Sequence, residues 1–232
     1  MRLDKYLCEN GKGTRTEVKE IIKKKHISVN GNIITDAGYH VTESDIVCLD
    51  GEELMYEEFR YYMLNKPAGV ISATEDDKDK TVLDLLAGEN IRGLFPVGRL
   101  DKDTEGLLLI TNDGDLSHRM LSPKKHVEKC YYVELAEKID KESIACLVEG
   151  VDIGDDELTH PAKVEAISPT SIYLTITEGR YHQVKRMMEA VGNEVTYLKR
   201  VSFGPLELDN NLQLGEYRRL DDDEILMLQI KC

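Results

Sequence analysis

Long apolar runs are missing from this chain. The longest reach about four or five residues, against the roughly 20 that a membrane-spanning helix needs, so such a helix is excluded. No apolar stretch of signal-peptide length follows the opening Met1-Arg2-Leu3-Asp4-Lys5. Cysteine is sparse and badly placed for bridges or zinc: Cys8, Cys48, Cys130, Cys146 and Cys232 form an odd set with no Cys-x-x-Cys pair. Reduced thiols in a cytoplasmic protein are the expectation. The sequence has no glycine-rich nucleotide loop and no cluster of metal-ligating residues, so neither cofactor nor metal is expected.

Positive charge is also in deficit. Thirty Lys and Arg against 44 Asp and Glu leave a formal charge of −14, which argues against nucleic-acid binding over the whole surface, because phosphate neutralisation needs cations. The deficit is uneven. From Asn10 to Gly31 six basic residues (Lys12, Arg15, Lys19, Lys23, Lys24, Lys25) face two acidic ones, whereas Glu43 to Glu58 holds seven acidic residues and no basic one. A second acidic cluster is Asp221-Asp222-Asp223-Glu224. The acidic runs read as solvated surface; the basic segment reads as a local, salt-sensitive nucleic-acid face.

What is present divides the 232 residues in two. Residues 1–58 form a small module. Thr14-x-x-Glu17 is a capping box, Val18, Ile21 and Ile22 share one helical face, and Asn30-Gly31 sits between two short strands as a hairpin turn. Ile46 to Leu49 is a third short strand. Glu57 to Arg60 reads as linker, and residues 59–232 as a larger domain. There, strands are expected at Tyr61 to Leu64, Leu107 to Thr111, Tyr131 to Leu135, Ala162 to Ile167, Ile172 to Ile176 and Val195 to Val201, and helices at Leu116 to Leu121, Lys141 to Glu149 and His182 to Val191. Regular βα alternation is lacking, so the fold class is α+β, with a mixed, mostly antiparallel sheet.

Four segments carry candidate chemistry. Gly98 to Gly106 packs Arg99, Asp101, Lys102, Asp103 and Glu105 into one polar loop, and Leu107-Leu108-Leu109-Ile110 behind it is an apolar strand: reactive groups mounted on a rigid support. A calcium loop fits poorly, because its twelfth position is Asn112 instead of glutamate. A glycosidase carboxylate pair is the other reading of these acids. Asn65-Lys66-Pro67-Ala68-Gly69-Val70, with Ser72 close behind, reads as a turn after a strand. In Lys129-Cys130-Tyr131-Tyr132-Val133, Tyr131 and Val133 share a strand face, and Arg119, Lys124, Lys125 and Lys129 make a basic strip. In Glu178 to Met187, Val184, Met187, Met188 and Val191 form a buried helical stripe. Of Lys185 and Arg186, one can reach inward from the edge of that stripe while the other meets solvent or RNA.

Gly98-Arg99-Leu100-Asp101, followed by Thr104-Glu105-Gly106-Leu107-Leu108-Leu109 and Thr111-Asn112-Asp113-Gly114, resembles the signature of the pseudouridine synthases that act on ribosomal RNA. The other three segments and Leu198-x-Arg200 match the same family. The opening residues, basic helix and hairpin resemble the small RNA-binding domain named for the fourth small-subunit ribosomal protein. The resemblance implies a cofactor-free isomerisation of uridine with Asp101 as catalytic residue, Tyr131 against the target uracil, Lys185 as catalytic cation and Leu198 beside the reacting base. Arg99, Lys129, Arg180, His182, Gln183, Leu198 and Arg200 are then expected to bind substrate, and Lys12, Arg15, Lys19, Lys23, Lys24, Lys25, Lys124 and Lys125 to bind RNA. An ion pair with Lys185 would keep Asp101 charged in a dry pocket. The branch resembled most modifies small-subunit ribosomal RNA, so the expected partner is that RNA or an assembly intermediate, met by a monomer with no membrane partner. Large-subunit RNA is the alternative. A non-catalytic RNA-binding or assembly protein is the rival reading, and it leaves Asp101, Tyr131 and Lys185 without a purpose.

Overall fold

A computed structural model describes residues 1–231. Two units emerge from its contacts: Met1–Phe59 together with Gly88–Gly93, and Arg60–Ala87 together with the chain from Leu94 onward. A single dividing point in the chain does not anticipate Gly88–Gly93, whose Asn90 side chain donates to the Glu9 carbonyl at 2.7 Å. Cys232 lies outside the described residues; the other four cysteines are free thiols. No helix among the described residues is long and apolar enough to cross a membrane.

The smaller unit contains α1 (Leu3–Glu9), α2 (Arg15–Lys23), β1 (Ile27–Val29), β2 (Asn32–Ile33), β3 (Val47–Leu49) and β4 (Glu52–Glu53). The capping box opens α2: Thr14 Oγ1 accepts from the Glu17 amide, and the Glu17 carboxylate accepts from the Thr14 amide. Val18 and Ile22 point into a core with Leu3, Leu7, Ile27 and Val47. Asn30 and Gly31 both take positive φ (50° and 77°), as a tight hairpin between β1 and β2 requires. The helix α1 was not expected from the sequence; at seven residues its Leu3, Tyr6, Leu7 spacing spans too short a window to stand out.

The larger unit contains β5 (Tyr61–Lys66), β6 (Phe95–Pro96), β7 (Glu105–Thr111), α3 (Gly114–Leu121), β8 (Lys129–Leu135), α4 (Lys141–Glu149), β9 (Lys163–Ser168), β10 (Ser171–Ile176), α5 (Gln183–Ala190), β11 (Val195–Phe203), β12 (Leu206–Glu207), β13 (Tyr217–Arg219) and α6 (Asp222–Lys231). Among the described residues, its sheet runs β13-β5-β7-β11-β8-β10-β9, with β6 beside β7 and β12 beside β11. Every pairing is antiparallel except β7 with β11. That parallel pair sets Arg200 opposite Gly106.

Central strands are covered on both faces. Leu108 and Ile110 join Tyr62, Tyr131, Leu174, Met187 and Leu198 in one core, while Leu107 and Leu109 join Met63, Leu116 and Phe203 in another. This explains why residues 107–110 are uninterrupted apolar sequence, whereas Ile172 to Ile176, covered on one face, alternates. Of the acidic C-terminal cluster, Glu224 departs from the solvated-surface reading: it accepts from the Arg218 guanidinium at 2.7 and 2.8 Å.

Candidate active site

The loop before β7 is held by its backbone. Lys66, fully buried at the end of β5, aims its ammonium at the carbonyls of Thr104 (2.8 Å), Asp101 (3.0 Å), Pro67 (3.1 Å) and Lys102 (3.4 Å). Burial pushes this lysine down to about 8. The Gly69 amide donates to the Lys102 carbonyl at 2.7 Å, and Ser72 both donates to the Leu100 carbonyl and accepts from the Leu100 amide. The Asn65 to Ser72 segment, read from the sequence as a turn, is the buttress of the Asp101 loop. Nothing in its composition distinguishes the two, because the bonds are to backbone atoms some 35 residues away.

On β8, alternation sends Lys129, Tyr131 and Val133 to the same buried face while Tyr132 faces the other way. On β11, Leu198 and Arg200 are buried beside them, in register with Val133 and Tyr131. The α5 helix begins after Tyr181 and His182, whose rings stack at 3.8 Å, and His182 takes a left-handed φ of 47°. The chain thereby turns Lys185 toward the loop. All ten residues expected to act on substrate (Arg99, Asp101, Lys129, Tyr131, Arg180, His182, Gln183, Lys185, Leu198, Arg200) line one pocket enclosing about 620 Å³ including its open mouth. Sequence reasoning missed Thr104, which lines the same pocket with a buried hydroxyl that has no hydrogen-bond partner among the described residues.

The polar groups differ from expectation in five places. Asp101 is 30% exposed and therefore not in a dry pocket. Its carboxylate is 3.7 Å from Lys185 Nζ and 3.5 Å from His182 Nε2. Lys185 lies closer to Asp103, 2.7 Å from each carboxylate oxygen, and holds that carboxyl below its usual range. The ammonium thus bridges two acids instead of pairing with Asp101 alone. Arg186 does not meet solvent freely: it bonds Asp155 and the carbonyls of Tyr181 and Ile153. Arg180 bonds Glu178 and the carbonyls of Glu157 and Leu158, and Gln183 bonds Glu178 and the Arg180 amide. These two residues spend most of their polar groups bracing the wall of the pocket. Lys129 leaves the proposed basic strip altogether, being buried.

The residues expected to bind RNA are exposed: Lys12, Arg15, Lys19, Lys23, Lys24 and Lys25 in the smaller unit, and Lys124 and Lys125 in the larger. Among the described residues none of these eight is within ion-pair distance of an acid. Unpaired surface cations are free to meet phosphate.

Comparison with known proteins identifies the family. A family model for RNA pseudouridylate synthases matches residues 60–190, and a model of the S4 domain matches residues 1–47. The chain is 52% identical over 234 residues to an uncharacterised RNA pseudouridine synthase of Bacillus subtilis strain 168, with 98% of each covered. It is 43% identical to ribosomal small subunit pseudouridine synthase A of Vibrio cholerae and 41% identical to that of Escherichia coli K12, in each case over 97% of this chain and 98% of the relative. A solved crystal structure of a pseudouridylate synthase, 40% identical, superposes with a TM-score of 0.71 over 98% of this chain and 99% of its own. The chain is therefore a member of the RNA pseudouridine synthase family, an isomerase with an S4 domain at its N-terminal end.

Proposed function

We propose that this enzyme converts one uridine of small-subunit ribosomal RNA to pseudouridine, with Asp101 as the group that attacks the nucleotide or takes its proton. The observation that carries the reading is the convergence of a fixed carboxylate, a flat aromatic (Tyr131), an apolar side chain (Leu198) and a cation (Lys185) on one pocket. A uracil swung out of its stack fits between Tyr131 and Leu198. Asp101 faces it from a loop whose backbone is pinned. Lys185 Nζ and His182 Nε2 stand 3.7 and 3.5 Å from the Asp101 carboxylate, on the pocket side of the loop. The smaller unit, with its six free cations, grips RNA backbone and residues 59–232 do the chemistry. Small-subunit RNA is favoured because relatives that match nearly end to end are named for that activity.

Ribosomal RNA from cells lacking this protein, complemented with wild type or Asp101→Asn, tests the assignment by pseudouridine mapping. One small-subunit position should lose its pseudouridine and regain it only with wild type. A missing large-subunit position would move the substrate, and restoration by Asp101→Asn would remove Asp101 from the mechanism.

A further inference from the structure

Two buried cations in the pocket have, among the described residues, no acid within ion-pair distance. Lys129 is 8% exposed and Arg200 1% exposed, and both line the pocket beside Asp101. The Lys129 ammonium donates to the Val127 carbonyl at 3.0 Å and lies 5.3 Å from the centre of the Phe203 ring. The Arg200 guanidinium lies 4.7 Å from the same ring, donates through Nε to the Leu107 carbonyl at 2.8 Å, and leaves Nη2 buried with no partner. Among the described residues neither is within ion-pair distance of a carboxylate. Glu178 is the acid that acts on Lys129, but its oxygens already accept from Arg180, Gln183 and the His160 amide. Burial and the neighbouring charge of Arg200 push Lys129 down to about 8. Two buried like charges with unused donors weaken a fold, so a polar ligand that completes them is the natural explanation.

We propose that Lys129 and Arg200 hold the carbonyl oxygens of the target uracil and stabilise the negative charge the ring acquires as it leaves the ribose. The inference rests on the pocket being a uridine-isomerising site. When the C1′–N1 bond breaks, its electron pair stays on the base and spreads onto the carbonyl oxygens. The same number of electrons returns to the sugar when C1′ bonds to C5, and the proton lost from C5 is balanced by one gained at N1. A cation facing those oxygens acts more strongly on the anion than on neutral uracil, which is the condition for raising the rate. Lys129 is two residues from Tyr131 on the same strand face, so a base stacked on Tyr131 lies within its reach. A backbone phosphate, by contrast, carries the same charge before and during reaction, and its loss would weaken binding instead of slowing the bound step.

The test is single-turnover conversion at saturating RNA, with RNA affinity measured alongside. Lys129→Met should slow conversion about 100- to 1,000-fold while affinity changes less than about threefold, with a melting temperature no lower than wild type. Lys129→Arg, which keeps the charge, should retain roughly a tenth of the rate or more. RNA transcribed with 5-fluorouridine carries a base that tolerates negative charge better, so the Lys129→Met defect in first-turnover consumption should shrink at least tenfold. Loss of affinity at an unchanged bound rate would reassign Lys129 to a phosphate. An equal defect on both RNAs, or no defect, would also overturn the proposal. Asp101→Asn is run in parallel: activity in that variant would sink the underlying reading separately.

Discussion

Lys185 sits between two carboxylates, nearer to Asp103 than to Asp101. Asp103 is largely exposed, so its pair with Lys185 contributes little to stability. Asp103→Asn should keep the rate at saturating RNA within about threefold of wild type, because Lys185 remains beside Asp101; a loss beyond 30-fold would make Asp103 part of the chemistry. Lys66 and Lys129 both sit near 8 because burial disfavours their charge. Above that pH Lys66 has fewer protons to offer four carbonyls and Lys129 becomes neutral. The pH–rate profile should fall beyond about 8, and a plateau to pH 10 would contradict both roles. Stability moves the other way. Below 8 the folded protein bears the full penalty of a buried charge; between 8 and 10.5 it has released protons the unfolded chain still binds, so stability from these groups rises with pH. Lys129→Met should therefore be more stable than wild type at pH 7 by about 1–3 kcal/mol in urea unfolding, with the gain fading toward pH 10.5. That Asp101, Tyr131 and Lys185 would meet at one pocket was legible because they sit in recognisable strings of residues. The closeness of Lys185 to Asp103 was not, since both lie in the same kind of string and only coordinates rank two distances.

At the scale of elements, the parallel pairing of β7 with β11 positions the site, and Gly106 permits it. A Cβ there would lie 2.2 Å from the Arg200 carbonyl oxygen and 2.8 Å from its amide nitrogen, and the φ of 100° disfavours any side chain. Gly106→Ala should destabilise by about 3 kcal/mol or more and cut activity even where the variant folds, because Arg200 and the Asp101 loop separate together. Melting and rate measured on one preparation check this; a variant with wild-type values would contradict it. Glycine in the family signature is visible in sequence, but the strand that approaches it is not. Elements with a clear period, such as β10 and α5, were readable, as was the capping box of α2. The helix α6 escaped notice because, among its described side chains, Leu228 alone is fully buried while Leu226 and Ile230 are exposed, so no stripe forms. The short strands β4, β6, β12 and β13 exist through pairing with partners elsewhere, which no local pattern records.

For the whole molecule, a charge of −14 and RNA binding are compatible because the cations are segregated. Six exposed, unpaired basic residues in the smaller unit imply a salt-sensitive grip. Reversing Lys19, Lys23 and Lys24 to glutamate should lower RNA affinity at least tenfold and flatten its salt dependence, with the bound-state rate unchanged; an unaltered salt slope would place the grip elsewhere. Composition alone misleads at this scale, and distribution along the chain corrects it. The most direct measurement is tritium release from small-subunit ribosomal RNA labelled at C5 of uridine, using purified protein without added cofactor. Wild type should release one equivalent of label per RNA and Asp101→Asn none, although both bind the RNA alike. Release by Asp101→Asn at a wild-type rate would contradict the account.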